Sequence, residues 1–213
     1  MSNNAVLIQH CWPAEVNADY AAMLEMQVER NQMYCDGRGF DYRAVNGNVK
    51  PEYSDPVSGE WPKVELIRAA IEDGYQYVVW LDPDTLILDM NADLRDGCPD
   101  GIGACWHRIP QINHWNTGAL YIQNSVAVCD FMGAWLATFP GERAWMEQGE
   151  FNKLAMQNKV VQTISDRWNA TLNYSMVPDA VVLGFHGNGD PAGRLRLIQE
   201  TYQKLQATEP IGA

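Results

Sequence analysis

Several features that would place this chain of 213 residues in a particular class are scarce or missing. Its five cysteines are odd in number and include no C-x-x-C pair, which argues against a disulfide framework or a zinc site. No run of about 18 consecutive apolar residues occurs, so we expect no membrane-spanning helix. The N-terminal residues Met1–Ala5 lack the basic region and apolar core of a signal peptide, and we therefore expect a cytoplasmic protein.

Basic residues are also few. Lys and Arg number 15 against 27 Asp and Glu, which gives a net charge of −12. This balance argues against nucleic acid or an anionic membrane surface as a partner. An anionic substrate would need local positive charge, which a bound metal can supply. No linker, repeat or low-complexity segment divides the chain, so we expect one domain over residues 1–213.

The most informative stretch is an apolar segment followed by two carboxylates. Tyr77–Leu81 predicts a strand buried on both faces, and Asp82-Pro83-Asp84 follows directly. Proline lacks an N–H group and suits the end of a strand. Ligands of open α/β sheets collect at the carboxyl ends of strands, and two neighbouring carboxylates favour a cation between them. Hard oxygen ligands suit Mn²⁺ or Mg²⁺, so this stretch predicts a metal site.

Strand and helix patterns alternate along the chain, which predicts an α/β layer architecture with right-handed crossovers. The strands are expected at Ala5–Ile8, Phe40–Val45, Tyr77–Leu81, Ile102–Trp106, Ala119–Asn124 and Ala180–Phe185. The helices are expected at Ala18–Met33, Trp61–Asp73, Ser125–Thr138, Trp145–Gln157 and Ala192–Ala207, with loops at 46–60 and 91–101.

The segment Trp106–Trp115 concentrates two Trp, two His and one Arg in ten residues, and its composition predicts a loop. Aromatic faces and polar side chains together suit a wall against sugar rings, with Trp115 as the main candidate. The alternative is a partly buried loop whose aromatic side chains only pack.

Three later motifs carry further candidate groups. Asn116-Thr117-Gly118 precedes a strand, and its Asn amide can both donate and accept hydrogen bonds. Glu147-Gln148 opens a helix, where Glu147 also has an ordinary explanation in the helix dipole. His186 lies at a strand end in a Gly-rich loop, where its ring can approach a ligand.

Taken in order, these motifs resemble the retaining GT-A-fold galactosyl-, xylosyl- and mannosyltransferase families. The pattern comprises Trp61-Pro62-Lys63, the D-x-D pair Asp82 and Asp84, Asn116-Thr117-Gly118, Glu147-Gln148, Trp168-Asn169 and His186. The resemblance implies a Rossmann-like, mixed, mostly parallel sheet flanked by helices. It also implies a nucleotide-sugar donor, UDP-linked, and a carbohydrate or other hydroxyl acceptor.

The same resemblance implies roles for individual residues. Asp82, Asp84 and His186 are the expected ligands of Mn²⁺ or Mg²⁺, and Gln148 with Glu147 is the expected catalytic pair. Substrate binding is expected of Lys63, Asp82, Trp115, Asn116, Thr117, Gly118, Trp168, Asn169, Gly189 and Arg194. The chain departs from the H-x-x-G-x-x-K motif of related families because position 192 is Ala, and Arg194 is the candidate replacement for the missing Lys.

Two other functions remain open on the sequence. Asp82-Pro83-Asp84-Thr85 also fits the D-x-D-x-T motif of haloacid-dehalogenase-type phosphatases. That family needs a later second Asp in G-D-x-x-x-D, and here Arg194 stands in its place after Gly189-Asp190. The Trp content also suits a catalytically inactive carbohydrate-binding module, which does not need the carboxylates.

Overall fold

The structure is a computed structural model, and it describes residues 4–51, 60–108, 113–141, 146–172, 175–187 and 189–208. In these segments the chain forms nine strands and five α-helices. No helix in them is both long and apolar enough to cross a membrane.

The first half alternates strands and helices as predicted. It comprises β1 (Ala5–Cys11), α1 (Ala18–Arg38), β2 (Asp41–Asn46), α2 (Pro62–Glu72) and β3 (Tyr77–Leu81). Helix α1 extends five residues beyond the predicted Met33. It begins at Asn17, whose side chain accepts from the Tyr20 N–H, and it ends where Gly39 adopts a φ of 69°. Only glycine takes this left-handed conformation without strain, so Gly39 fixes the C-terminus of the helix.

The second half contains more strands than the sequence patterns predicted. Its elements are β4 (Thr85–Ile87), β5 (Ile102–Arg108), β6 (Asn113–Gln123), α3 (Val126–Leu136), α4 (Met146–Ala155), β7 (Val161–Ile164), β8 (Ala170–Thr171), β9 (Val182–Gly184) and α5 (Pro191–Thr208). Strands β4, β7 and β8 were not predicted, because two to four residues are too few to show a period.

The main sheet has six strands in the order β2-β1-β3-β6-β5-β7. Strand β6 is antiparallel to both of its neighbours, β3 and β5, while the other pairings are parallel. Five of the six strands therefore run in one direction. This confirms the expected mixed, mostly parallel sheet flanked by helices. A second sheet, β4-β9-β8, follows the D-x-D stretch.

The prediction of a loop at Trp106–Trp115 was wrong for the residues described. Strand β5 continues to Arg108 and pairs with β6 from Asn113 onward, with Trp106 opposite Trp115 and His107 opposite His114. Residues 109–112 lie outside the described residues, as do residues 52–59 of the predicted loop 46–60. Trp145, the predicted start of α4, also lies outside them.

Strand β3 is buried on both faces, as its composition predicted. Val78 and Trp80 pack into one apolar cluster with α2 and α3, while Val79 and Leu81 pack into another with α1. Because side chains alternate along a strand, one short apolar run supplies the core on both sides of the sheet. The strand thereby places the residues that follow it at the centre of the sheet edge.

Candidate functional site

A cavity of about 630 Å³ lies at the carboxyl ends of β1, β3 and β5, beside the first half of β6. All four histidines of the chain line this cavity. Among the described residues, the lining comprises His10, Cys11, Trp12, Tyr20, Glu60, Lys63, Trp80, Asp82, Pro83, Asp84, His107, His114, Asn116, Thr117, Gly118, Met146, Glu147, Gln148, Thr171, His186, Gly187 and Arg194.

The D-x-D turn is held in place by its neighbours. The Trp80 indole N–H donates to Asp82 Oδ1 at 2.6 Å, and the Thr85 hydroxyl donates to the Asp82 carbonyl at 2.7 Å. The Gln27 amide of α1 donates to the Pro83 carbonyl at 2.8 Å. Two of these hydrogen bonds therefore hold the backbone of the turn, and the third orients the Asp82 carboxylate.

Lys63 joins the D-x-D turn to the start of α4. Its ammonium is almost fully buried and lies 3.1 Å from Asp82 Oδ1 and 2.9 Å from Glu147 Oε1. Burial alone lowers the Lys63 pKa, but the Asp82 and Glu147 carboxylates raise it more, so the net pKa lies above its usual value. The Thr117 hydroxyl also donates to Glu147 Oε1 at 2.9 Å. Lys63 therefore stays charged and ties three predicted site residues together.

Asp84 has a different cation as its partner. Its carboxylate is 3% exposed, and Arg194 Nη1 of α5 donates to its Oδ2 at 2.9 Å. The same nitrogen donates to the Tyr20 hydroxyl at 2.8 Å. Burial and the nearby Asp82 charge raise the Asp84 pKa to about 6, although Arg194 opposes this shift. Arg194 was predicted for substrate binding, and in the structure it holds a predicted metal ligand.

Gln148 is oriented by the backbone of β6. Its Oε1 accepts from the Thr117 N–H at 3.1 Å, and the side chain lines the cavity. Because the side-chain oxygen is used in this way, the NH₂ group is the part of Gln148 that remains to donate to a ligand.

Asn116 and Gly118 form a tight arrangement beside Asp82. Asn116 Oδ1 accepts from the Gly118 N–H at 2.8 Å and from Asn169 Nδ2 at 2.9 Å. A Cβ atom at position 118 would lie 2.8 Å from Asn116 Oδ1 and 3.3 Å from Asp82 Oδ2. Glycine at this position therefore lets strand β6 approach the D-x-D turn closely.

Four residues predicted for substrate binding do not line the cavity. Asn169 supports Asn116 from behind, and Trp168 packs against Tyr121 with ring centroids 5.5 Å apart. Gly189 lies beyond the cavity wall in the loop before α5. Trp115 packs edge-on against Trp106 at 4.6 Å and donates to Thr163 Oγ1 at 3.0 Å. Substrate binding by these four residues therefore stays a prediction.

Three of the histidine side chains, those of His107, His114 and His186, lie together in the cavity wall. His107 and His186 stack with centroids 4.9 Å apart, and the Thr171 hydroxyl lies 3.0 Å from His186 Nε2. Burial lowers the pKa of His107 to about 4 and that of His186 further below its usual value. Both rings are therefore neutral at pH 7, and they present uncharged hydrogen-bonding groups rather than positive charge.

Some cavity residues were missed by the sequence patterns, notably His10, Trp12, Tyr20 and Glu60. Burial and the Glu147 carboxylate raise the Glu60 pKa to about 8. The position of Glu60 directly before Trp61-Pro62-Lys63 was the available signal, but a single Glu at the end of a loop carries no motif.

The donor chemistry of the cavity fits a divalent cation. Four carboxylates, Glu60, Asp82, Asp84 and Glu147, line it together with two strong cations, Lys63 and Arg194. Hard oxygen ligands and surplus negative charge are what Mg²⁺ and Mn²⁺ require. Within the described segments, however, no three His, Cys, Asp or Glu side chains converge on one point as a ready-made metal site.

No family model and no curated protein sequence matches the chain. Solved structures do match it. A glycosyltransferase involved in glycosylation of the major capsid of the virus PBCV-1 has a TM-score of 0.69 at 15% identity, with 92% of this chain and 98% of the other covered. Mouse xyloside xylosyltransferase 1, in its apo form, has a TM-score of 0.54 at 11% identity, with 87% and 99% covered.

A third similar structure is the apo glycosyltransferase GlyE of Streptococcus pneumoniae, with a TM-score of 0.52 at 15% identity. The alignment covers 94% of this chain and 63% of GlyE. At these identities the likeness establishes the fold, which is the fold of these glycosyltransferases.

Proposed function

We propose that the protein is a metal-dependent glycosyltransferase that moves a sugar from a UDP-linked donor to an acceptor hydroxyl with retention of configuration. One observation carries the proposal. The D-x-D carboxylates, Asn116-Thr117-Gly118 and Glu147-Gln148 are far apart in sequence, yet they meet in one cavity and contact one another. The fold shared with three glycosyltransferases supports the same reading.

Asp82, Asp84 and His186 are the residues that would hold Mn²⁺ or Mg²⁺. A bound divalent ion supplies Lewis-acid stabilisation of the departing diphosphate. Lys63 orients Asp82 through their 3.1 Å ion pair. Trp80 donates to the same carboxylate oxygen, Oδ1, through its 2.6 Å hydrogen bond.

Gln148 would lie against the donor sugar near the anomeric carbon, because its oxygen is held by Thr117 and its NH₂ group borders the cavity. Glu147 would act mainly by holding Lys63 and Thr117, since one carboxylate oxygen already accepts from both. A double displacement would require Glu147 to attack through its other oxygen, Oε2, while Oε1 stays bound to these partners. The contacts therefore favour Gln148 as the group that touches the reacting sugar.

The neutral ring of His107 suits the acceptor side of the cavity. Uncharged imidazoles donate to and accept from hydroxyl groups without attracting an anion. A hydroxyl-bearing acceptor therefore matches this wall better than a phosphorylated one.

Calorimetry with UDP tests the metal and the nucleotide together. We expect UDP to bind at least about tenfold more tightly with Mn²⁺ than without it, because the diphosphate completes the metal's coordination. Asp84→Ala should abolish this gain, whereas Asp130→Ala, which removes an exposed carboxylate on α3, should preserve it. Equal UDP affinity with and without Mn²⁺ in the unmodified protein would refute the proposal.

A panel of UDP-sugars with Mn²⁺, analysed by NMR for the anomer produced, tests the reaction. Transfer or slow hydrolysis with a retained anomer is the expected result. Hydrolysis of p-nitrophenyl phosphate without turnover of any nucleotide sugar would instead support the phosphatase alternative. In the structure Arg194 occupies the position where that family needs a second Asp, and it pairs with Asp84.

A further inference from the structure

Arg194 and a divalent metal ion compete for the same carboxylate. Asp84 is 3% exposed and belongs to the D-x-D turn, and Arg194 Nη1 lies 2.9 Å from its Oδ2. Two cations cannot share one buried carboxylate oxygen at this distance without strong repulsion. A metal ion that binds Asp84 through Oδ2 must therefore displace the guanidinium, and one that binds through Oδ1 is repelled by it.

The position and contacts of Arg194 allow its side chain to move away from Asp84. The residue lies in the first part of α5, and its side chain is 21% exposed, while Asp84 is held by the D-x-D turn. The loop before α5 contains Gly187 and Gly189, both with positive φ values of 75° and 84°. Apart from Asp84, Arg194 is held by the Tyr20 hydroxyl at 2.8 Å and, through Nε, by the Gly189 carbonyl at 3.3 Å.

The other cation of the cavity, Lys63, already forms ion pairs with two carboxylates. Lys63 is buried between Asp82 and Glu147, at 3.1 and 2.9 Å, on the far side of the D-x-D turn from α5. A nucleoside diphosphate entering the cavity brings several negative charges, and Arg194 is the cavity's other strong cation. Release of Arg194 from Asp84 therefore costs free energy when the cavity is empty. When a diphosphate is bound, its oxygens accept hydrogen bonds from the guanidinium, and these bonds offset the cost.

We propose that Arg194 is an exchangeable counter-ion that makes metal binding depend on the nucleotide: it occupies Asp84 in the donor-free protein and transfers to the diphosphate when the metal takes its place. This inference rests on the proposed function, because it assumes a metal-bound diphosphate in the cavity. By thermodynamic linkage, the factor by which the nucleotide strengthens metal binding equals the factor by which the metal strengthens nucleotide binding.

The test is a cycle of four affinities measured by calorimetry: Mn²⁺ alone, UDP alone, Mn²⁺ with saturating UDP, and UDP with saturating Mn²⁺. The variants are Arg194→Gln and, as the matched control, Arg196→Gln. Arg196 is an exposed residue of the same helix and its substitution changes the net charge equally.

Arg194→Gln should bind Mn²⁺ alone at least roughly tenfold more tightly than Arg196→Gln does, because the competing cation is gone. The factor by which UDP strengthens Mn²⁺ binding should fall at least about fivefold in Arg194→Gln and remain unchanged in the control. The melting temperature of Arg194→Gln should also rise more on addition of Mn²⁺ alone than that of the control.

Unchanged or weaker Mn²⁺ binding in Arg194→Gln would overturn the inference and make Arg194 a fixed support of Asp84. If Arg194→Gln does not fold, Tyr20→Phe replaces it, since this variant removes one anchor of the guanidinium and keeps its charge. Tyr20→Phe should then tighten Mn²⁺ binding several-fold, and no change would overturn the inference. Failure of the proposed function looks different, because the unmodified protein would then show no coupling between UDP and Mn²⁺.

Discussion

The buried ion pairs of Lys63 illustrate how single residues hold this site together. Its ammonium lies between Asp82 and Glu147, which come from different parts of the chain. A buried charge that loses its partner is costly, because desolvation is no longer offset by attraction. Lys63 is therefore a structural requirement of the cavity as well as part of its lining.

Lys63→Met should lower the free energy of unfolding by about 3–5 kcal/mol, because it leaves two carboxylates facing each other without a cation. Urea denaturation monitored by tryptophan fluorescence measures this loss. The control is Glu72→Ala, which removes an exposed i,i+4 partner of Arg68 from the same helix and should cost about 0.5 kcal/mol or less. Similar losses in the two variants would mean that the Lys63 cluster does not stabilise the fold.

At the scale of elements, the hairpin of β5 and β6 separates two kinds of side chain. The pairing sets His107 opposite His114 and Trp106 opposite Trp115. Both histidines line the cavity, whereas the two Trp rings pack edge to face with each other and Trp115 contacts the apolar core. Strand alternation therefore places the two histidines toward the cavity and lets the two tryptophans pack against each other.

We expect Trp115→Ala to lower the free energy of unfolding by about 2–3 kcal/mol, which is less than for a fully buried Trp, and to leave UDP affinity unchanged. His114→Ala should show the opposite pattern, with small effects on stability and weaker binding or turnover of the acceptor. Chemical denaturation and steady-state kinetics on both variants distinguish the two roles. A Trp115→Ala protein of normal stability with impaired transfer would restore Trp115 to the sugar wall.

The same hairpin shows where the sequence was insufficient. The apolar run before Asp82 predicted β3 correctly, because burial on both faces leaves a continuous apolar signature. Trp106-His107 and His114-Trp115 are mirror-related, which is a hairpin pattern, but the concentration of large polar and aromatic residues favoured a loop. Strand β9 lies within the predicted strand Ala180–Phe185, but β4 and β8 were missed. Among the described residues these two short strands pair with β9, so their existence depends on long-range contacts that no local pattern records.

The candidate site was predictable where a motif placed a polar or charged group at the end of an element, as for Asp82, Asp84 and Gln148. The site was not predictable where the role of a residue depends on its contacts with residues that are distant in the sequence. Asn169 belongs to a motif yet supports Asn116 from outside the cavity. Glu60 belongs to none, and its environment arises only when Lys63, Glu147 and the D-x-D turn come together.

The whole molecule carries a net charge of −12, and its cavity adds to this excess of negative charge. The folded pKa of Glu60, about 8, lies above its ordinary value of 4.5. A carboxyl whose folded pKa is raised binds protons more strongly in the native state, so its contribution to stability is present at low pH and is lost as pH rises through the folded pKa.

The contribution of Glu60 to the free energy of unfolding of the ligand-free protein should therefore fall by about 3 kcal/mol between pH 5 and pH 8, against an opposing rise from His107 and His186, whose pKa values are lowered by folding. Glu60→Gln should remove most of this decline, because the amide stays neutral over the whole interval. Glu25→Gln, an exposed substitution on α1, should retain it. Urea denaturation at several pH values gives the measurement, and an undiminished decline in Glu60→Gln would show that other groups cause it.

The ion pair between Asp84 and Arg194 spans 110 residues of the chain, and this separation has a consequence for biosynthesis. A ribosome adds about 5–20 residues per second, so Asp84 is made about 5–20 seconds before its counter-ion exists. During that interval the central strand can emerge and begin to pair, but its terminal carboxylate has no guanidinium to neutralise it. The nascent chain therefore completes its cavity late, only after the segment that forms α5 has left the ribosome.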